Sequence, residues 1–419
     1  MSASNHHSDS HASAEADYRI PPESSWSNAW KIAAGIGVVG LAAAGAGYAS
    51  DPKRFAFSYL FGFIVALTIA LGSLFFVLVE RLTSAGWSVT IRRTAEFFAA
   101  AIPILAILFI PIWLSMGHLF PWFTHESSHV THVDPEHILH AELMTKKSPF
   151  LNQGFFTARA ILYFILWSWI ALRLFAFSTN QDKSKDPKWT LKAQAFAPAA
   201  TFLFGLSLTF AAFDWVMSLE PSWYSTIFGV YMFAGCVVVM FATLTVVTMA
   251  LRASGLLGRA ITVEHYHDLG KLLFGFNVFW AYIGFSQFML IWYASIPEET
   301  TWYHRRWDEG GPWAFISLLI LFAHFIVPFF MLISRNAKRA LDFFGVAAGW
   351  MILMHVLDIY WFVMPNFASE GFRVHWMDGA CLFGVGGVYL AAVFYRMTLY
   401  PLIPVGDPRL TRCMRFENA

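Results

Sequence analysis

Carboxylates, a guanidinium and imidazoles recur inside apolar runs of this sequence, where each is costly to bury. Asp214 lies inside the end of one such run, within Phe213–Tyr231 (FDWVMSLEPSWYSTIFGVY). Glu220, Pro221 and Trp223 mark the short polar turn that follows. Trp215, Trp223 and Tyr224 supply the amphipathic rings of a lipid–water boundary. A carboxylate just inside hydrocarbon marks function by default. Arg159, in the preceding run, is its natural counter-ion. His355 and Asp358 are three residues apart, so on a helix they share one face and could hydrogen-bond or relay a proton.

These residues need a scaffold of membrane helices. The chain is 57% hydrophobic and 13% charged, where a soluble domain carries about 25% charged residues. Its net charge of +1 points to neither nucleic acid nor acidic partners. Cys236, Cys381 and Cys413 are far apart, with no CxxC or CxxCH. That removes covalent haem c, cysteine-ligated iron–sulfur clusters and a disulfide framework from the chain itself. No Walker loop, HExxH or GxSxG in a plausible context is present, and no metal site is expected.

Residues 1–29 read as a disordered polar tail, since no apolar stretch with a cleavage site follows. His6, His7 and His11 there are solvated filler or adventitious metal binders. Apolar runs follow at 30–48, 55–79, 95–117, 153–177, 195–217, 224–250, 271–295, 312–334, 341–364 and 377–400. Each is close to the ~20 residues that a spanning helix needs. The first is almost entirely Ala, Gly and Val, which predicts tight packing on a neighbour. Pro103 and Pro111 could break the third.

Lys and Arg set the orientation. Tail, even-to-odd loops and C-terminus together hold 20 of them. The opposite loops hold only Lys53, Arg54, Lys146, Lys147, Arg305, Arg306 and Arg373. Both termini are therefore expected in the cytoplasm. The longest outer loop, 118–152, carries His118, His125, His129, His132, His137 and His140. HESSHVTH could place three imidazoles on one helical face for a metal, or the loop could simply be polar and partner-facing.

Depth follows from ~1.5 Å of rise per residue. Arg159, Asp214, Asp358 and Asp378 fall toward the outer side; Glu80, Glu96, Asp268, Lys271 and Asp342 fall toward the inner side. His324 and His355 fall near the middle. Each also has a plain structural reading. Arg159–Asp214 could be an ion pair locking two helices, Glu80, Glu96 and Lys271 could snorkel, and the histidines could be satisfied core residues. Paired imidazoles could hold haem b, although electron-carrying bundles usually offer two such pairs. Asp214 precedes Pro221 by seven residues, and Asp358 precedes Pro365 by seven, a weak internal echo.

FDWVMSLEPSWYSTIFGVYMFAG, YHDLGKLLFGFNVFWAYIGFSQFMLIWYASIPEETTWY and GWSVTIRRTAEFFAAAIPILAILFIPIW resemble ActF, the second polysulfide-reductase-type (NrfD-like) membrane subunit family of bacterial alternative complex III. The resemblance covers most of residues 26–400. It implies an all-α integral membrane fold of ten helices. Helices 2–5 (55–217) and 6–9 (224–364) would form two four-helix bundles. Helix 1 (30–54) and helix 10, with the tail to 419 (377–419), would be peripheral.

The resemblance also implies a quinol:cytochrome c oxidoreductase assembly in the bacterial inner membrane. Its partners would be an ActC-like sister subunit, small membrane subunits, lipids, and outer multihaem cytochrome c and iron–sulfur proteins. Haem c and the clusters would sit in those partners, with no cofactor held by this chain.

Three roles follow. In the first, the chain braces the complex and passes protons by Glu80, Glu96, Asp268, Lys271, His324, His355 and Asp358. In the second, Arg159 and Asp214 serve a quinol site in the outer half of helices 2–5, and a quinone binds there. The third is a secondary transporter.

Overall fold

The computed structural model describes residues 18–125, 144–307, 311, 313–369 and 371–418. Among these, ten helices are long and apolar enough to cross a membrane, so the chain is a multi-pass membrane protein. We number them α1 (Ser25–Ser50), α2 (Pro52–Leu82), α3 (Val89–Leu114), α4 (Gln153–Ser184) and α5 (Lys188–Leu219), followed by α6 (Phe228–Ala253), α7 (Val263–Ala294), α8 (Ala314–Ile333), α9 (Leu341–Asn366) and α10 (Trp376–Leu399). Many large apolar side chains face outward, among them Val39, Ile165, Phe202, Phe285, Phe315 and Phe330. Lipid, not water, suits such a surface.

Several boundaries follow from local chemistry. Asp51 caps α2 by accepting from the Arg54 N–H (2.9 Å), and Pro52 fills the first turn, where no N–H is needed. In α3 the helical run breaks at Ala101 and Phe109, ahead of Pro103 and Pro111. Helices α4 and α7 are longer than their apolar runs. Asn152 caps α4, which runs through Asp182 to Ser184, and α7 starts at Val263. Their polar turns are spent on ion pairs, described below, and hydropathy alone does not register such turns.

Residues 18–29 depart from the expected disordered tail. Ser25–Asn28 form a 3₁₀ turn, and the Trp26 indole donates to Ser254 Oγ (2.9 Å) and meets Phe394 edge-on. The Leu402 N–H donates to the Tyr18 carbonyl (2.8 Å), so both described ends of the chain lie on one side. We call it the termini side.

Helix α2 is the most buried span and touches α1, α3, α5, α6, α9 and α10. Helices α2, α3, α4 and α5 each touch the next, with α5 returning to α2; α6 to α9 do the same, with α9 returning to α6. Helix α1 packs chiefly on α10, as its small residues predict. A Cβ on Gly40 would sit 2.6 Å from the Gly384 backbone. Helix α10 is less peripheral than expected, since it also packs on α2 and α3.

Packing has to hold these helices together, because lipid offers no hydrophobic drive for their association. Helices α2 and α6 approach closely, so that a Cβ on Gly72 would lie 2.1 Å from the Cys236 carbonyl oxygen. Backbone cannot swing aside as a side chain can. Gly72→Ala is therefore expected to destabilise the protein by about 1–3 kcal/mol, read as a lowered unfolding midpoint in detergent. An unchanged midpoint would mean that the α2–α6 contact is looser than described.

Candidate functional site

Most buried acids of this protein are matched by a cation. Arg159 of α4 grips Asp214 of α5 in two parallel hydrogen bonds, Nε to Oδ2 (2.8 Å) and Nη2 to Oδ1 (2.7 Å). Tyr163 adds a third bond to Oδ2 (2.8 Å). The remaining guanidinium edge donates to the Phe150 carbonyl (3.0 Å), and Phe150 and Phe155 cover the plane at 3.9 and 4.2 Å. Both carboxylate oxygens are used, so this pair is a brace between helices. Removing one partner of a buried pair strands the other. Asp214→Asn is expected to lower stability by roughly 2–4 kcal/mol, measurable by thermal unfolding.

Asp378, near the start of α10, is equally satisfied. It accepts from Arg54 (2.5 Å), Ser58 (2.6 Å), Tyr360 (3.2 Å) and the His375 N–H (2.9 Å). On the same side Glu220 lies 3.6 Å from Arg306 and 3.4 Å from Arg305. Burial lowers the Arg306 guanidinium to about 9, against the pull of Glu220.

On the termini side, Glu80 and Glu96 stand in a buried charge network. Arg81, Arg92, Arg93 and Arg409 face Glu80, Glu96, Asp182 and Asp407 there. Arg92 is its hub, reaching Glu80 (2.9 Å), Glu96 (3.0 Å) and Asp407 (2.9 Å). Asp407 and Arg409 come from the segment after α10, which runs beneath α2, α3 and α4. Asp268 pairs with the half-exposed Lys271 near the start of α7.

Asp358 is the exception. Among the described residues it is the buried acid with no Lys or Arg partner. Its oxygens accept only from the Trp280 indole (3.2 Å) and the Tyr231 hydroxyl (3.4 Å). Ligand atoms of Asp358, His355 and His324 all lie within 4.8 Å of one another. The expected shared face of His355 and Asp358 is present, and α8 brings His324 to the same depth.

His355 has one partnered ring nitrogen. Thr68 Oγ1 lies 2.9 Å from His355 Nε2 and 2.9 Å from the Val65 carbonyl oxygen, while His355 Nδ1 has no partner among the described residues. Neither ring nitrogen of His324 has a partner, and Trp280 stacks on that ring with centroids 3.9 Å apart.

Local backbone geometry helps to place His324. It lies in a π-helical stretch, Ile320–Ile326, where the Val327 N–H reaches back to the Phe322 carbonyl. The next N–H would belong to Pro328, which has none. The Ala323 carbonyl accepts from the Trp350 indole of α9 instead (2.7 Å). This ties α8 to α9 one residue from His324.

A cavity of about 250 Å³ approaches the cluster from the side opposite the termini. Tyr231, Trp280, Gln287, Tyr303, Ser317 and Trp361 are among its lining residues, so it touches both donors to Asp358. Toward the termini side, Asn277 of α7 is fully buried, and neither its amide nitrogen nor its oxygen has a partner among the described residues. Sequence reading missed Thr68, Tyr231, Trp280 and Asn277. For Asn277 and Trp280 the available signal was spacing, since Asn277, Trp280 and Gln287 recur at helical intervals along α7. His129, His132, His137 and His140, the side chain of His125, and tail residues His6, His7 and His11 lie outside the described residues. His118 is exposed.

A scan against protein-family models finds none that matches this chain. A search of curated proteins likewise finds no match.

Proposed function

We propose that this chain is a proton-carrying membrane subunit, without a redox centre of its own, of a quinol-oxidising complex of the alternative complex III type. In this reading α2–α5 and α6–α9 are two four-helix bundles. The chain sits in a bacterial inner membrane with both termini cytoplasmic, and it also braces its neighbours. The assembly part rests on the sequence motifs quoted above, and haem c and iron–sulfur clusters belong to partner proteins.

The proton part rests on one observation: Asp358 is held by neutral donors only, beside two imidazoles with unpartnered ring nitrogens. Such a cluster changes charge with each proton it takes or gives, and it has no fixed counter-ion to prevent this. One face of α7 carries Asn277, Trp280 at the cluster and Gln287 in the cavity, and serves the part of the route nearest the cluster. Asp268, about two and a half turns before Asn277, lies on the opposite face at the termini side. The paired carboxylates Glu80, Glu96, Asp214 and Asp378 act as braces, because each is already committed to arginine.

Purification from native membranes tests the assembly. Multihaem and iron–sulfur proteins should co-purify with the chain, and quinol-driven reduction of an acceptor should be accompanied by proton uptake and release. A chain that purifies alone, with no haem protein at any stage, would rule this reading out. A carrier would behave in that way.

A further inference from the structure

We propose that His324, His355 and Asp358 form a binding site for one divalent transition-metal ion of the zinc type. The three ligand atoms already lie within 4.8 Å of one another. A zinc ion about 2.0–2.2 Å from each ligand needs them roughly 3.5 Å apart, so binding draws the three side chains together. Two imidazoles and one carboxylate suit zinc, copper or ferrous iron, and disfavour magnesium and calcium, which select oxygen.

Outer contacts already resemble those of a metal site. A ligating imidazole usually donates its second N–H to a fixed acceptor, and a ligating carboxylate is itself hydrogen-bonded. Thr68 Oγ1 lies 2.9 Å from His355 Nε2, and Nδ1 is left without a partner among the described residues. Trp280 and Tyr231 donate to the two oxygens of Asp358. His324 is fully buried with both nitrogens unpartnered, an arrangement that a buried polar group rarely keeps. The cavity lined by Tyr231 and Trp280 gives an approach from the side opposite the termini.

A metal and a travelling proton would compete for the same lone pairs. The site thus deepens the proton reading by adding a cation that shuts the route, while binding itself does not depend on that reading. Here the full-length chain, with any native partners, is stripped with chelator, exposed to Zn²⁺, washed, and assayed by elemental analysis and X-ray absorption.

The wild type should retain about one zinc per chain more than the His324→Gln/His355→Gln double variant. Their difference spectrum should carry two imidazoles, and Asp358→Asn should bind at least tenfold more weakly. The histidines of the tail and outer loop contribute equally to both samples and cancel. If the double variant does not fold, each single variant serves in its place.

Equal zinc in wild type and variants, or none in the wild type, would overturn the site. Proton passage measured in vesicles separates the two ideas. Passage that needs Asp358 but with no zinc bound leaves the relay and removes the site. Zinc bound at the three residues, with passage indifferent to Asp358→Asn, leaves the site and removes the relay.

Discussion

Asp358→Asn is expected to cut proton passage by about 10² or more, the loss typical of removing a positioned acid–base group, while leaving the fold intact. Asn has nearly the volume of Asp, and its amide oxygen still accepts from the Trp280 indole or the Tyr231 hydroxyl. No cation is stranded, because none is paired with Asp358 among the described residues. This separates it from Asp214→Asn, which leaves the Arg159 guanidinium buried without its carboxylate. Vesicles holding either variant, with a pH-sensitive dye inside, distinguish the two. The Asp358 variant should melt like wild type and conduct poorly, whereas the Asp214 variant should melt early. Undiminished passage in Asp358→Asn would remove the relay.

The largest expected loss of stability comes from Arg92→Ala. Its guanidinium reaches Glu80, Glu96 and Asp407 at 2.9–3.0 Å, and all three are almost fully buried. Truncation leaves those carboxylates to Arg81 at 3.6–3.8 Å, to Arg93 and to Arg409. A cost of about 3–5 kcal/mol is expected, as for other broken buried pairs. The lesion should also loosen residues 400–418, which limited proteolysis would report.

Acid acts on the same network. Burial pushes the Asp407 carboxyl up, but Arg92 and Arg409 overcome that and hold it below the ordinary carboxylate range. A depressed carboxyl contributes stability above its unfolded value, near 4, and loses it as the pH falls toward the folded value. Unfolding midpoints should therefore drop on acidification below about pH 4, with a shallower drop in Arg92→Ala.

Much of the fold was legible in sequence because lipid imposes length. Ten apolar runs, two helix-breaking prolines and a small-residue first helix each have a direct physical reading. Spacing was legible too: His355 and Asp358, three residues apart, share a face of α9, whereas the approach of His324 to both was not foreseen. Pairing was not. Glu80 and Glu96 read as inner acids on a proton path, yet their arginine partners include Arg409, more than 300 residues later. Rotation about a helix decides whether an acid meets an arginine or an indole, and rise per residue carries no information on that. Residues 18–29 were misread for a related reason. Their polar composition resembles a free tail, whereas Tyr18 and Trp26 are anchored by contacts to Leu402, Ser254 and Phe394.

The segment after α10 bears on how the protein is made. Gly406 has no room for a side chain, since a Cβ there would lie 2.2 Å from the Gln181 carbonyl oxygen, and its N–H donates to Asp182. Asp407 and Arg409 follow at once and enter the charge network of α2, α3 and α4 as one anion and one cation. During synthesis these residues leave the ribosome after all ten spans. Until then Arg81, Arg92 and Arg93 balance Glu80, Glu96 and Asp182 among themselves. Docking of Asp407 and Arg409 then adds no net charge to the network, so this last step of closure is electrically silent within it.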